Sequence, residues 1–150
     1  MTGQLHTSFD GPQSSPGLLL WRVTNAWQRA IRTALAPHDL THVQFVLLAI
    51  LTAGDPDETV TQRELADRAS TDEMMTSQVL RTLEQKGLVR RLPHPDDRRA
   101  RAITPTRAGI ALVNHANAAV ETADRDYFSA LGSSQTEFIR ALQVIDQASH

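Results

Sequence analysis

The sequence contains no cysteine in its 150 residues. This excludes disulfide bonds, cysteine-ligated zinc sites, thiol nucleophiles and thiol redox switches. Aromatic residues are also scarce, at 5%, so aliphatic side chains must build most of the core from a hydrophobic content of 41%. The length fits a single domain, and a small core of this kind often gains stability from oligomerisation.

Long apolar runs are absent as well. No segment approaches the ~20 consecutive apolar residues of a membrane-spanning helix, and residues 1–16 lack the basic and apolar regions of a signal peptide. The glycine, proline and serine content of residues 1–16 predicts a disordered arm before a single folded unit at 17–150. We therefore expect a cytoplasmic protein that does not contact a membrane.

Positive charge is concentrated in the middle of the chain. The net charge is −2, but residues 63–107 hold ten of the fifteen lysines and arginines against seven acidic residues. A basic segment suits a phosphate-binding surface, because each neutralised phosphate releases counterions. Charge alone fits a solvated arginine-rich face equally well. The predicted helices and strands around the arginines are therefore needed to distinguish the two.

Long helices are predicted near both ends of the chain from the helical spacing of apolar residues. The first is predicted over 17–36. The second should begin at Pro105, with Thr104 as its N-cap, and run to about Leu131, where Gly132 stops it.

A last helix is predicted to begin with a capping box formed by Ser134 and Glu137. The end segments 17–36 and 105–148 carry apolar stripes that a small core leaves uncovered. We expect these segments to pair with a second copy of the chain. The alternative is that they pack only on their own protomer.

Capping signals define three shorter helices in between. Thr41 with Gln44, and Thr61 with Glu64, have the spacing of capping boxes, and Asp72 is the expected N-cap of a helix over 73–86. The first of these helices is apolar almost all round, so it should be buried. The second and third are joined by only a few residues, which is typical of a helix-turn-helix.

A charged hairpin should follow these helices. Gly87 sits where a left-handed helix cap is expected, and residues 88–92 and 100–103 have the composition of two strands. The tip between them, 93–99, contains two prolines and cannot be helical. The order predicts a winged helix-turn-helix over 61–104 within a mainly α (α+β) fold that has long N- and C-terminal dimerisation helices.

The helix over 73–86 should have two distinct faces. Its inward face would carry Thr76, Val79, Leu80 and Leu83. Its outward face and flank would carry Met74, Met75, Ser77, Gln78 and Arg81. A major groove admits one helix, glutamine and arginine can pair with base edges, and methionine can touch thymine methyls, so this face predicts contact with double-stranded DNA. An ordinary amphipathic surface helix is the alternative, which exposed paired methionines fit poorly.

The hairpin tip places several charged residues at the end of a ribbon, namely Asp97, Arg98, Arg99 and Arg101. An arginine there can enter the narrow minor groove, where negative potential is focused. We expect Asp97 to hold the Arg99 side chain by a charge-assisted hydrogen bond. A solvated loop with weak surface ion pairs is the alternative.

Taken together, these residues resemble the MarR family of bacterial transcription regulators over residues 18–148. The resemblance is carried by Leu40-Thr41, Gln44-Phe45, Gln62-x-x-Leu65-Ala66, the run LEQKGLVRR at 83–91, Pro95-x-Asp97-x-Arg99 and Thr104-x-x-x-x-Gly109. It implies a homodimer that binds pseudo-palindromic operators, usually as a repressor, and is often released by a small aromatic ligand.

Site residues carried over from the resemblance fall on the same surface. By position, Ser77 and Gln78 match the family's main base-reading places, and Asp97 and Arg99 match its wing-tip pair. The family often has Thr-Arg at the first two positions and an acid where this chain has Arg81. The operator sequence should differ accordingly.

A ligand cavity between the end helices and the DNA-binding lobe is a further expectation from the resemblance. Four residues could line it: Trp21, Trp27, His42 and Phe45. Ordinary core packing of the same residues is the alternative.

Two other functional classes are alternatives for this sequence. For an enzyme, the histidines are scattered, and the pair His38 and His42 around Asp39 fits helix capping better than a metal site. No nucleophile elbow or phosphate loop is present, so we expect no catalysis, metal or cofactor. A winged helix that serves only as a protein-interaction scaffold, without ligand response, is the second alternative. Such a scaffold does not need an arginine-bearing wing.

Overall fold

The computed structural model describes residues 3–150, which form six α-helices and a small sheet. The helices are α1 Pro16–Leu35, α2 His42–Ala53, α3 Gln62–Ala69, α4 Glu73–Gln85, α5 Arg107–Phe128 and α6 Gln135–Ala148. The strands are β1 Val60–Thr61, β2 Val89–Pro93 and β3 Arg101–Pro105. Short 3-10 turns lie at Pro12–Ser14, Ala36–His38 and Ser129–Ser134. The predicted winged-helix fold is confirmed.

The segment before α1 is mostly exposed and contains one 3-10 turn. The Ser15 hydroxyl caps α1 by accepting a hydrogen bond from the Leu18 N–H at 3.2 Å, and the helix begins one residue before the predicted start. Disorder of the arm at residues 1–16 stays a prediction, and its first two residues lie outside the described part.

The three predicted N-terminal caps in the middle of the chain are confirmed. The Thr41 hydroxyl accepts the Gln44 N–H, and the Gln44 side chain accepts the Thr41 N–H in return. Thr61 and Glu64 repeat this reciprocal pair at the start of α3. Asp72 accepts a backbone N–H of the first turn of α4 at 2.9 Å. These caps fix where α2, α3 and α4 begin.

The wing belongs to a three-stranded antiparallel sheet, in the order β1-β3-β2. The sequence predicted the β2–β3 hairpin but not β1, in which Val60 pairs with Ile103. A two-residue strand is too short to show the alternation by which strands are recognised. Its pairing nevertheless ties the start of α3 to the wing.

The predicted start of α5 is wrong by two residues. Thr104 is not its cap, because β3 continues through Pro105, which lies opposite Val89 at the end of the ladder. Thr106 is the cap: its hydroxyl accepts the Gly109 N–H at 3.1 Å. Its N–H donates to the Leu88 carbonyl at 3.0 Å. These bonds anchor α5 to the loop before β2, so the hairpin extends further than predicted.

The predicted capping box at the last helix is also wrong. Ser134 makes no side-chain cap, because its backbone (φ −84°, ψ 0°) is not the extended conformation of an N-cap, and Glu137 therefore has no capping partner there. α5 ends at Phe128, before the predicted limit near residue 131. Gly132 lies within the following 3-10 turn at a φ of 54°.

The core lies where the second half of α1, α2, α3, α4, the sheet and α5 as far as Val120 meet. Its largest fully buried hydrophobic side chains are Ile31, Leu35, Leu47, Leu48, Leu65, Leu80, Leu83 and Val89. α2 is buried along most of its surface, as predicted. Within residues 3–150, no single helix has the length and apolarity to cross a membrane, and the segments Pro16–His38 and His42–Ala53 pass that test only as a pair bent by 76°.

The two ends of the chain leave apolar side chains exposed. α6, all of whose residues are described, buries none of them in the protomer. The large apolar side chains exposed on α6 and on the first half of α1 are Ile139, Leu142, Val144, Ile145, Leu18, Leu20, Trp21 and Val23. The predicted stripes are therefore present, and only their inner parts are covered by the protomer itself.

Candidate nucleic-acid interface

α4 presents the predicted outward face. Thr76, Leu80 and Leu83 are buried on the inward side. Met74, Met75, Gln78 and Arg81 are exposed on the outward side, and Ser77 is half-buried. These five outward residues form what we call the reading face, and α4 is the recognition helix.

The turn between α3 and α4 sets the direction of the recognition helix. Ser70 ends α3 in the left-handed conformation, with a φ of 52°. The buried Thr76 hydroxyl donates to the Asp72 carbonyl at 2.8 Å and lies 2.7 Å from the Thr71 hydroxyl. A buried hydroxyl without partners would be costly, so these bonds favour this turn geometry over others.

Arg91 connects the wing to the recognition helix. It lies on β2, and its Nη2 donates to the backbone carbonyl of Ser77 at 2.7 Å. Its Nε is buried and has no hydrogen-bond partner within residues 3–150. Because the bond reaches a residue of the reading face, Arg91 is placed to hold that face at a fixed distance from β2. Sequence reasoning did not single out this residue.

The wing tip exposes its arginines, but not by the predicted ion pair. Asp97 Oδ1 accepts the backbone N–H of Arg99 at 2.9 Å, so the aspartate stabilises the turn rather than the guanidinium. Arg98, Arg99 and Arg101 are exposed, and none of them forms an ion pair in the described part of the chain. The prediction that Asp97 holds the Arg99 side chain is wrong. An aspartate readily accepts the backbone N–H two residues further along a turn. This bond leaves the long Arg99 side chain free, whereas an ion pair would order that side chain at an entropic cost.

A groove of about 370 Å³ joins the wing to the starts of α3 and α4. Its lining residues are Thr61, Gln62, Arg63, Glu73, Asp97, Arg99, Ala100 and Arg101. Arg63, with its Nε 3.9 Å from Glu73 Oε1, adds an exposed positive charge that the sequence analysis missed. Its position inside the Thr61–Glu64 capping box, at the start of a helix of the helix-turn-helix, is the signal that could have found it.

The four predicted ligand residues have different surroundings within the protomer. Trp27 and His42 are in edge-to-face contact, with ring centroids 5.1 Å apart. Phe45 is buried in the core. Trp21 is 69% exposed and lines a separate groove beside Tyr127. Within the protomer Trp21 therefore lies in a different groove from His42, and a ligand-binding role for these four residues stays a prediction.

One groove, of about 310 Å³, does lie between α1, α2 and the helix-turn-helix. It is lined by Gln28, Arg32, His42, Val43, Val46, Ala69, Thr71 and Met75. Burial lowers the pKa of His42, and the Arg32 charge lowers it further, while Asp124 opposes both effects. His42 is thereby kept neutral over a wider pH range than a free histidine. Met75 belongs to this groove and to the reading face.

No metal site is evident in the described part of the chain. Within residues 3–150 no group of three or more histidine, cysteine, aspartate or glutamate side chains is placed so that it could hold a metal ion. His38 contacts the ring of His115, not His42, with centroids 5.1 Å apart.

Comparison with known proteins identifies the family. The model of the MarR family matches residues 40–100. The HTH-type transcriptional regulator YdcH of Bacillus subtilis is 44% identical over 142 residues, which cover 92% of this chain and 94% of the relative. The chain belongs to the MarR family. A second relative, the transcriptional repressor Rv2887 of Mycobacterium tuberculosis, is 34% identical over 85% of this chain and 90% of its own length.

Solved structures of MarR family proteins share the fold. The structure of CouR from Rhodococcus jostii RHA1 bound to p-coumaroyl-CoA has a TM-score of 0.79 and 28% identity, covering 91% of this chain and 94% of CouR. A mutant of MarR from E. coli in complex with operator DNA has a TM-score of 0.75 and 26% identity, covering 85% and 89% of the two chains. Rv2887 in complex with salicylic acid has a TM-score of 0.68 and 33% identity, covering 87% and 96%. Membership of this family makes the chain a DNA-binding transcription regulator.

Proposed function

We propose that this MarR family regulator acts as a homodimeric repressor on a pseudo-palindromic operator. Each copy places the recognition helix in a major groove and the wing in the adjacent minor groove. The observation that carries the proposal is the reading face of α4, flanked by a wing whose Arg98, Arg99 and Arg101 are exposed and free of ion pairs within residues 3–150. The MarR–operator complex and the relative named as a repressor support it.

The exposed apolar surface supports the pairing of two copies. Fully burying an exposed large apolar side chain contributes about 1.5–3 kcal/mol. The side chains on α6 and on the first half of α1 are only partly exposed, so covering each of them would contribute part of that amount. In a twofold dimer the same apolar surface of each copy is covered by the other. The symmetry also orients the two recognition helices toward half-sites about 10 bp apart.

Replacing Arg99 by alanine tests the role of the wing. We expect operator binding to weaken by about 1–3 kcal/mol at fixed salt, the range for a specific arginine contact. The Arg98→Ala variant removes an equal charge from the same turn. It should lose less operator affinity, because Arg99 is the residue proposed to enter the minor groove. Fluorescence anisotropy with a labelled operator measures both. Equal affinities for the wild type and Arg99→Ala would contradict the wing contact, and a wild type without salt-dependent duplex binding would favour a protein scaffold.

Replacing Ile145 by aspartate tests the pairing of two copies. Ile145 is 61% exposed in the protomer, so the change should leave the isolated fold intact while placing a charge in the proposed interface. Light scattering should give twice the 16.6 kDa chain mass for the wild type and a lower mass for Ile145→Asp. The Gln147→Asp variant controls for added charge on the same helix. A wild-type mass of one chain would contradict the dimer.

A small aromatic acid is the proposed effector, and the groove beside Met75 is its proposed site. The groove offers apolar walls at Val43 and Val46 with a positive charge at Arg32, which suits a planar carboxylate. The complexes of CouR with p-coumaroyl-CoA and of Rv2887 with salicylic acid support this class. Release of DNA requires that the ligand favour a different spacing of the two recognition helices.

A library of aromatic acids tests this effector. We expect some members to raise the melting temperature and to release the operator, and we expect Arg32→Met to weaken both effects while leaving operator binding without ligand unchanged. Arg29→Met, an exposed arginine of the same helix that does not line this groove, is the control. An absence of both effects across the library would contradict the proposal.

A further inference from the structure

Two adjacent methionines occupy the first turn of the recognition helix. Met74 is 72% exposed and Met75 is 40% exposed. The chain has one other methionine, Met1, and no cysteine, so no thiol competes with them for an oxidant. We propose that Met74 and Met75 form an oxidation site through which hypochlorous acid and similar two-electron oxidants weaken DNA binding. The inference rests on the proposed contact between the reading face and DNA.

The reaction is a transfer of oxygen to sulfur. With hypochlorous acid, the thioether sulfur forms an S–O bond while the O–Cl bond breaks. The sulfur loses two electrons, and chlorine gains them and leaves as chloride. The proton goes to solvent. The product is methionine sulfoxide, which methionine sulfoxide reductases convert back, so the modification is reversible.

The two methionines lie on the reading face, so their oxidation would change the surface proposed to contact DNA. Oxidation turns a flexible apolar side chain into a polar one, and an apolar side chain on this face is suited to thymine methyl groups. Met75 also lines the groove with Arg32 and His42, so a sulfoxide there changes a wall of that groove as well. Both changes fall on the surface proposed to meet the major groove.

The fold itself should tolerate the oxidation. Neither methionine is buried, and the helix is held from its other side by Thr76, Leu80 and Leu83. The cap of α4 uses only a backbone N–H of Met75, which the sulfoxide leaves unchanged. Oxidation should therefore reduce DNA affinity while the free energy of unfolding stays nearly constant. This separates the proposed site from general oxidative damage.

The experiment compares the wild type with the double variant Met74→Leu/Met75→Leu, before and after treatment with a few equivalents of hypochlorous acid. Leucine keeps an apolar side chain of similar size and has no sulfur to oxidise. We expect treatment to weaken operator binding of the wild type about tenfold or more, the scale of a lost specific contact. We expect the same treatment to leave the affinity of the double variant unchanged. Mass spectrometry should locate the added oxygens at residues 74 and 75.

Reductase treatment of the oxidised wild type provides a second readout that needs no variant. Recovery of the original affinity is expected, because these enzymes reverse only methionine sulfoxide. The inference is overturned if oxidised wild type binds as tightly as untreated protein, if the double variant loses affinity equally, or if reductases restore nothing. Failure of the untreated wild type to bind any duplex would instead refute the proposed function.

Discussion

Replacing Gly109 by alanine should destabilise the fold, because α5 passes the hairpin at backbone contact distance. A Cβ atom built on Gly109 would lie 2.1 Å from the carbonyl oxygen of Leu88 and 3.3 Å from a methyl carbon of Leu48. The first contact joins a Cβ, whose position the backbone fixes, to a backbone oxygen, so no side-chain rotation can relieve it. The start of α5 and the loop before β2 must move apart instead.

The size of the effect follows from three contributions. Overpacking of this kind costs about 1–3 kcal/mol. The displaced Leu88 carbonyl also accepts the Thr106 N–H at 3.0 Å, and losing that bond adds about 1 kcal/mol. Alanine returns up to about 1 kcal/mol through its higher helix propensity. Since the contact is far inside normal separation, we expect a net loss of about 2–3 kcal/mol in the free energy of unfolding.

Urea unfolding followed by circular dichroism measures this loss, at one fixed protein concentration because a dimer unfolds with concentration dependence. Gly17→Ala is the matched control, since Gly17 lies in α1 with open space around its Cβ position. That variant should be unchanged or more stable by up to about 1 kcal/mol. If Gly109→Ala were as stable as the wild type, the close approach of α5 to the hairpin would be refuted.

Two further predictions concern Arg91 and His42. Arg91→Met should weaken operator binding without changing the slope of log affinity against log salt, because its guanidinium bonds the Ser77 carbonyl; a slope reduced by about 1 would show a phosphate contact instead. Burial lowers the pKa of folded His42, so the unfolded chain takes up a proton at higher pH than the folded one. Its contribution to stability is therefore complete above the unfolded pKa of about 6.5 and falls as pH drops toward the folded value. His42→Asn should flatten the loss of stability between about pH 7 and 5, and an identical pH profile in urea unfolding would rule out this titration.

The elements that sequence could predict are those governed by local contacts. The caps at Thr41, Thr61 and Asp72 each depend on residues within one helical turn, so the spacing of side chains was enough. Gly87 likewise has the left-handed backbone, at a φ of 75°, that its place after α4 predicted. The inward face of α4 followed from helical periodicity.

The features that sequence missed depend on contacts between distant segments. Thr104 and Thr106 are equally plausible caps by composition, and only the bonds of Thr106 to the 87–88 loop decide between them. The short strand β1 exists only because β3 lies beside it. The contact of Arg91 with Ser77 joins residues 14 positions apart.

The sequence predicted which residues lie on the candidate site better than it predicted the contacts between them. The reading face and the exposed wing arginines lie where the pattern placed them, although their roles in DNA binding stay predictions. The bond between Asp97 and Arg99 involves backbone rather than the side chain, and Trp21 lies apart from His42. Side-chain direction at an exposed tip is set by small energy differences that residue spacing does not reveal.

Binding to duplex DNA as a function of salt, with the mass of the complex measured by light scattering, tests the central claim most directly. Genomic fragments that co-purify with the protein supply the duplex. We expect two chains per duplex and an affinity that falls by about 10³–10⁵-fold between about 50 and 200 mM salt, as for 6–10 phosphate contacts. A single-chain species that leaves duplex unbound at the lower salt would contradict the account.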